Sequence, residues 1–411
     1  MEKLRVGWIG YGRRGAALLT PILNHMPDIE IVGMCDEYED RVESGCARVC
    51  AARGVRPFGT VDYRDLLERD DVDAIVCASS WESHVDICRD SMLAGKPCGV
   101  EVGGAYSVNQ CWELIDTYEK TGVPCMMLEN CCYGKEEMTV LNMIKKGLFG
   151  EMVHCEGGYR HDLRESISTG HEMRHYRQRN YMHRNCDNYP THELLPIMKN
   201  LEVNRGNRLV TLVSMSSKAA GMNSYIKRLK GEDYKNASFA FAQGDVVTTM
   251  IKCAHGETIT LHLDTTLPRP YSRDGLAQGT LAIWSEEKNG VFFDGDEVVP
   301  SDNHKYLPFD SILEEHLHPL WRGYEAKGGH GGMDYLVLRA FFEAVMSGTD
   351  MPIDIYDTVT AMSITALTEE SIAMGSSPVA IPDFTKGKWT HRKSAVRSKY
   401  CLDEVCEEFF E

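Results

Sequence analysis

Over the first 125 or so residues, short apolar runs alternate with longer amphipathic stretches. The pattern predicts strands over 3–9, 29–35, 73–78, 97–101 and 123–128, and helices near 13–25, 38–53, 62–69, 83–94 and 107–121. Short apolar strands separated by helices pair in parallel through right-handed crossovers. The expectation is a doubly wound sheet whose ligand lies at the carboxyl ends of the strands. Pro21 falls inside the first helical pattern and predicts a kink or an early end there.

Beyond about residue 130 the rhythm changes. Residues 137–146 read as a helix and 151–160 as a strand. A polar stretch from Arg160 to Asn188, rich in His, Arg and Asn, is too long for a plain connection and predicts a functional segment or a mobile lid. Strand-like runs follow near 208–216, 237–242, 246–253, 257–264, 279–285 and 290–293, several joined by turns such as Gln243-Gly244-Asp245 and His255-Gly256. They predict a largely antiparallel sheet. Helices are expected near 333–347 and 357–373, then an irregular tail.

Composition narrows the class. A length of 411 residues exceeds one ordinary core, so two domains are expected. A net charge of −17 makes nucleic acid and anionic membranes poor partners. Fifteen cysteines show no recurring spacing; Cys131 and Cys132 are adjacent, and Cys46 and Cys50 share a helix face. This resembles neither a zinc framework nor a disulfide scaffold, so no metal is expected, and free thiols suit a reducing cytoplasm. No signal segment is read before the first strand, and no apolar run reaches the ~18 residues needed to span a bilayer. A cytoplasmic location is the expectation.

The first strand carries the most specific chemistry. It runs into G-x-G-x-x-G at Gly10, Gly12 and Gly15, and the second strand ends at Asp36. Glycine permits the turn and lets a pyrophosphate approach the backbone, while the following helix presents N–H groups and its positive dipole end. A carboxylate at the tip of the second strand can hold both ribose hydroxyls, which favours NAD over NADP. Arg13 and Arg14 could favour a 2′-phosphate, but Asp36 and Glu37 argue against it. The plainer alternative is a turn that only permits close strand–helix packing. The expected layout is α/β: an N-terminal NAD-binding Rossmann domain over 1–130, then a substrate-binding α+β domain with an open, largely antiparallel sheet over 131–411. The tail is expected to pack back on the first domain.

Other candidates lie at the same strand ends. Trp81 and His84 follow the strand near Cys77 and suit nicotinamide or ribose contacts; otherwise they pack a loop and cap a helix. Glu101 and Val102 follow the next strand, beside Gly103-Gly104, and Asn130 follows the last; it could donate to the cofactor or cap a helix. Tyr159, Tyr189, His192 and Tyr271 stand in distinctive settings in the second part, though each alone also suits a satisfied structural residue. Arg269 and Arg273 flank Tyr271 and are expected to favour its phenolate. Gly328-Gly329-His330-Gly331-Gly332 lines a pocket or serves as a hinge.

These segments resemble a known family. W-x-x-H at 81–84, MMLEN at 126–130, HCEGGYRHDLR at 154–164, YPTH at 189–192, VSMSSK at 213–218, RPYSR at 269–273, GGHGGMDY at 328–335 and PDFTKGKW at 382–389 run in order through nearly the whole chain. They are similar to the NAD-dependent glycoside hydrolases typified by bacterial α-N-acetylgalactosaminidase, a branch of the Gfo/Idh/MocA oxidoreductases. Simple sugar dehydrogenases of that architecture carry Glu-Lys-Pro where this chain has Glu101-Val102, so the usual acid/base lysine is missing. Gly103-Gly104-Ala105 replaces the family's Pro-Ala-Ala, and the 166–185 segment lacks an expected tryptophan; both bear on leaving-group and N-acetyl recognition.

The resemblance implies glycoside hydrolysis without net redox change, on an N-acetylgalactosaminide. Hydride leaves sugar carbon 3, the ketone acidifies the carbon 2 proton, the aglycone is expelled, water adds, and hydride returns. It further implies that His192 acts near the carbon 3 hydroxyl and Tyr159 takes the carbon 2 proton, its pKa lowered by a nearby cation. Tyr189 and Tyr271 position sugar hydroxyls, joined by Arg174. The cofactor edge comprises Gly10, Gly12, Arg13, Arg14, Gly15, Asp36, Trp81, His84, Glu101, Val102, Asn130, Tyr189 and His192. The partners expected are a small glycoside and further copies of the chain through the open sheet. The alternatives are a sugar or polyol dehydrogenase with net NADH formation, and a non-catalytic NAD-binding sensor.

Overall fold

The computed structural model describes residues 3–294 and 305–410. Its first part alternates β1 (Leu4–Ile9), α1 (Arg13–His25), β2 (Ile29–Cys35), α2 (Glu39–Arg53), β3 (Phe58–Thr60), α3 (Arg64–Leu67), β4 (Ala74–Cys77), α4 (Trp81–Leu93), β5 (Cys98–Val100), α5 (Val108–Thr121) and β6 (Cys125–Met127). The six strands are all parallel, in the order β3-β2-β1-β4-β5-β6. Chain order reverses between β1 and β4, so the turns after these two strands flank the crevice where such sheets bind ligand. Trp8, Val6, Ile75 and Val76 are fully buried, as two-sided coverage of a parallel sheet requires.

Two details differ from the sequence pattern. The short edge strand β3 has no apolar periodicity to announce it. Pro21 neither ends nor shortens α1, which runs unbroken to His25. Guanidinium groups of α2 support its carbonyls: Arg48 donates to Ala16, and Arg53 to Ile22 and Met26.

The second part comprises α6 (Lys135–Lys145), β7 (Met152–Arg160), α7 (Arg164–Ser168), α8 (Arg177–His183), α9 (Thr191–Asn200), β8 (Leu209–Ser216), α10 (Gly221–Lys230), β9 (Val246–Cys253), β10 (Thr258–Asp264), β11 (Leu276–Gly279), β12 (Ala282–Ser285), β13 (Gly290–Phe293), β14 (Leu307–Pro308), α11 (Asp310–His316), α12 (Met333–Ser347), α13 (Ile355–Ala373) and β15 (Val379–Ala380). Nine strands form one sheet, ordered β14-β13-β12-β11-β7-β10-β9-β8-β15. All pairs are antiparallel except β7 with β10. The run over 237–242 is not a strand but a turn-rich segment after α10. Asn236 takes a left-handed φ of 69°, and Phe239 and Phe241 pack edge to face rather than alternating across a sheet. The 279–285 run divides into β11 and β12.

Helices and tail bind the two parts together. Along α13, the Met362 carbonyl accepts from Ala105 N–H and Thr358 Oγ1 from Met127 N–H. The tail packs on the first part, with Phe384 against Trp112 and Lys386 and Lys388 on Glu119. Lys199, near the end of α9, is buried against Asp357 and the tail's Asp403, at 2.7 and 2.9 Å. Arg205 joins the same group. No helix among the described residues is long and apolar enough to cross a membrane.

Candidate active site

The glycine turn after β1 has the shape a dinucleotide needs. Gly10 sits at φ 94°, where a side chain would strike the Ala78 carbonyl at 2.5 Å. A Cβ on Gly15 would collide with the Gly10 carbonyl, so this position sets the close strand–helix approach. Over Gly12 the space is open: the nearest atom to a notional Cβ is Arg41 Nη1 at 3.7 Å. Nothing caps α1 there, and its first turn carries no acid. Asp36 is buried at the tip of β2, held by the N–H groups of Tyr11 (2.7 Å) and Tyr38 (3.1 Å). Three glycines with three different tasks, an uncapped helix start and a fixed acid together fit the pyrophosphate and ribose of NAD. Arg13 is exposed beside this turn.

Arg14 faces the other way. It donates to Glu101 at 2.8 Å and grips Asp334 with two bonds of 2.8 and 2.9 Å. Burial opposes the Arg14 cation, but Glu101 and Asp334 outweigh it and push its pKa up. Asp334, fully buried at the start of α12, also accepts from Asn130 at 2.8 Å and contacts His330 Nδ1 at 3.0 Å. Burial opposes its carboxylate too, yet His330 and Arg14 hold it well below the usual range. The Asn130 amide is thereby committed to Asp334. His330 takes a left-handed φ of 52° with its side chain 55% exposed, a strained imidazole facing solvent.

Trp81 and His84 lie at the start of α4. The indole N–H donates to the Val102 carbonyl at 3.1 Å, and Trp81 packs on Tyr176 and Tyr189 with centroids 4.7 and 5.7 Å apart. His84 is buried, its Nε2–H on the Ser79 carbonyl at 3.2 Å, and burial pulls its pKa down to about 4. Gly103 passes directly over both: a Cβ there would lie 2.5 Å from Trp81 and 3.1 Å from His84. A Cβ on Gly104 would overlap Thr365 of α13. The glycine pair is therefore required by packing in this chain.

Across this edge the second part contributes one aromatic and imidazole group. The Tyr159 ring lies 4.5 Å from Tyr189, 5.3 Å from His192 and 6.2 Å from Tyr271, centroid to centroid. The Tyr159 hydroxyl meets His161 Nδ1 at 2.9 Å. His192, in the first turn of α9, meets Glu129 Oε1 through Nδ1 at 2.7 Å. A carboxylate only accepts, so Nδ1 is the nitrogen that donates to Glu129. Glu129 is wholly buried; burial opposes its ionisation, but His192, Cys131 N–H and Thr191 hold its pKa low. Arg177 of α8 lies over the Tyr189 and Trp81 rings at 5.2 and 5.6 Å and beside Tyr159.

Two electrostatic expectations are corrected. Burial pushes the Tyr159 phenol up, and the pull of Arg177 does not overcome it. Tyr271 is likewise pushed up by desolvation and by Cys131, although Arg273 opposes this, so it stands as a phenol. Arg269 is occupied by Asp264 at 2.9 Å, and Arg273 by Glu137. Tyr189 is raised by burial and by Glu101.

Most of the expected residues converge, and Arg174 does not. It is exposed, at φ 52°, and pairs with Asp40 on α2 at 2.7 and 2.9 Å. Arg177 occupies the position by the tyrosines instead. Glu129, His161, Arg177, His330 and Asp334 were not singled out from the sequence. Asp334 and His330 stand within GGHGGMDY, where the glycines drew attention to backbone freedom rather than to side chains.

Comparisons with known proteins find a family for each part of the chain. Residues 4–129 match the oxidoreductase family with NAD-binding Rossmann fold. Residues 133–391 match the C-terminal domain of glycosyl hydrolase 109. The chain is 37% identical over 402 residues to an alpha-N-acetylgalactosaminidase of Shewanella oneidensis, covering 96% of this chain and 87% of that one. It is 36% identical over 418 residues to the enzyme of the same name from Tannerella forsythia, covering 95% and 88%. Among solved structures, an NAD binding oxidoreductase from Klebsiella pneumoniae superposes with a TM-score of 0.67 at 14% identity, covering 93% of this chain and 99% of that one. A scyllo-inositol dehydrogenase from Lactobacillus casei with bound NAD(H) and scyllo-inositol gives 0.64 at 11% identity, covering 92% and 99%; both show shared fold. With two family signatures meeting in order and relatives aligned almost end to end, the chain belongs to glycosyl hydrolase family 109.

Proposed function

We propose that this glycosidase cleaves N-acetylgalactosaminides with NAD as a recycled cofactor, returning each hydride within the turnover that borrowed it. The division near residue 130 then separates a dinucleotide unit from a substrate unit. The bound dinucleotide would supply a reversible hydride acceptor for sugar carbon 3. Gly10, Gly12 and Gly15 would face its pyrophosphate, Asp36 the adenosine ribose, and Trp81, Val102 and Tyr189 the nicotinamide side.

The observation that carries this reading is the presence of two separate proton-handling groups, 5.3 Å apart. A plain dehydrogenase needs one base, for the hydroxyl being oxidised. Elimination needs a second, for the carbon 2 proton. His192 would accept the carbon 3 hydroxyl proton at Nε2, and Glu129 would stabilise the imidazolium that results. Tyr159 is the second group; its hydroxyl would pass its proton to His161 Nδ1, 2.9 Å away, and the phenolate so formed, beside the Arg177 cation, would take the carbon 2 proton. His330, held by Asp334 at the exposed rim, would protonate the departing aglycone oxygen and deprotonate the water that replaces it. Tyr189 and Tyr271 would position hydroxyls as neutral phenols.

The test combines two readouts. Nitrophenyl N-acetylhexosaminides should be cleaved in D₂O with deuterium entering at carbon 2 and no build-up of absorbance at 340 nm. Cleavage without solvent label would overturn the reading. Accumulating NADH on free sugar would favour the dehydrogenase alternative, and retained NAD without turnover of any glycoside the sensor.

The outer face of the nine-stranded sheet supports association of two copies. Met215 and Met250 are 66% and 54% exposed on adjacent strands. Light scattering on Met250→Lys tests it: a mass unchanged from wild type argues against that face. A cytoplasmic location suits fifteen free cysteines, fourteen of them buried.

A further inference from the structure

The polar segment between β7 and α9 does not stay with its own sheet. From α7 it rises against α10, where Glu165 accepts from Tyr225 at 2.6 Å and Lys230 at 3.0 Å, and Glu172 from Tyr234 at 2.5 Å. Its tip then crosses to the first part of the chain. Arg174 forms its two-bond pair with Asp40, and its guanidinium lies 4.2 Å from the Tyr38 ring centroid. Arg41 donates to the Met173 carbonyl at 3.1 Å. On the return, Tyr176 packs on Trp81, Arg179 meets Glu82 at 3.1 Å, and Asn180 accepts from Tyr106 at 2.7 Å.

The position of the tip matters more than the number of contacts. Asp40 and Arg41 begin α2, just after the ribose acid Asp36. Arg41 lies 3.8 Å from Asp36 and is the nearest group above Gly12. The tip therefore closes over the stretch between Gly12 and Asp36, where the adenosine half of a dinucleotide would lie. Arg174 itself touches Asp40 and Tyr38 of the first part, not Tyr159 or His192. A cofactor that must return its hydride cannot leave between the two transfers, so a closure at the end away from the chemistry has a clear use.

We propose that the Arg174–Asp40 pair is an adenosine-end latch that sets how long the dinucleotide stays bound. The inference rests on the reading of NAD as a recycled cofactor. The pair is solvent-exposed and two-bonded, with Tyr38 stacked on it, so its effect is moderate and sensitive to salt.

The experiment loads the full chain with ¹⁴C-NAD, removes excess by gel filtration and follows release into unlabelled NAD. Arg174→Ala and Asp40→Ala should each release NAD about tenfold faster than wild type, and the double variant no faster than either. The exchanged pair Arg174→Asp with Asp40→Arg should recover most of the loss. Salt should speed release from wild type and leave Arg174→Ala little changed. Equal melting temperatures with release within twofold of wild type for both single variants would overturn the latch. If wild type itself retains no labelled NAD, the recycled-cofactor reading fails and the latch with it; the first outcome leaves that reading intact.

Discussion

Glu129 and His192 stand 63 residues apart in sequence and 2.7 Å apart in space, a wholly buried carboxylate accepting the Nδ1–H of an imidazole. The first comes from the end of the parallel sheet and the second from the first turn of α9. The geometry of this pair therefore depends on how the two parts of the chain are joined. Glu129→Gln keeps an acceptor but removes the charge that stabilises the imidazolium. We expect kcat to fall about 10²–10³-fold with KM changed by less than about threefold. An equal loss confined to KM would exclude a role in proton transfer.

Tyr159→Phe removes the hydroxyl but keeps the ring that packs on Tyr189. Glycoside cleavage should drop about 10²–10⁴-fold, and carbon 2 of unreacted substrate should no longer exchange with D₂O. Bound NAD should be unaffected. Exchange persisting at the wild-type rate would remove Tyr159 from the proton step.

His84 gives a pH dependence with a definite sign. Burial pulls its pKa from 6.5 to about 4, so the unfolded chain takes up this proton before the folded one. Its contribution to stability is complete above the unfolded value and is lost as pH falls toward 4, by up to about 3 kcal/mol. His84→Gln keeps a donor for the Ser79 carbonyl and should lose this share of acid sensitivity. A difference in unfolding free energy between wild type and variant that stays constant between about pH 7 and pH 4 would contradict the assignment.

Gly104→Ala should cost about 1–3 kcal/mol, because its Cβ would enter the space of Thr365. Thr365→Gly in the same chain should restore part of the loss in denaturant unfolding. Gly122→Ala, where nothing lies within 4 Å but φ is 68°, separates overlap from backbone strain. A Gly104→Ala chain as stable as wild type would show that the loop moves away freely.

Much of this arrangement was legible because it is local. The glycine turn, the acid at Asp36 and the parallel strands follow from spacing within a few tens of residues. The open sheet was readable from its turns, except where Ser238-Phe239-Ala240-Phe241 imitates strand alternation and Asn236 breaks it. The site's supports are non-local. Asp334 gathers Arg14 and Asn130 from two distant segments, beside its near neighbour His330, and no periodicity in either of them signals the other. Arg174 is expected to join Tyr189 and Tyr271 at the sugar hydroxyls, and it does not. The helical turn that starts at Arg177 brings that residue inward and leaves Arg174 on the outside of the segment.

The helix that opens with His192 closes at Lys199, and one of the two carboxylates neutralising that buried ammonium is Asp403. Order of synthesis then has a consequence. On the ribosome the six-stranded sheet can assemble early, but α9 keeps an incompletely compensated charge until Asp403 has emerged. The helix that carries His192 is therefore fully braced only once Asp403 has docked, and a change at that carboxylate would be felt along α9.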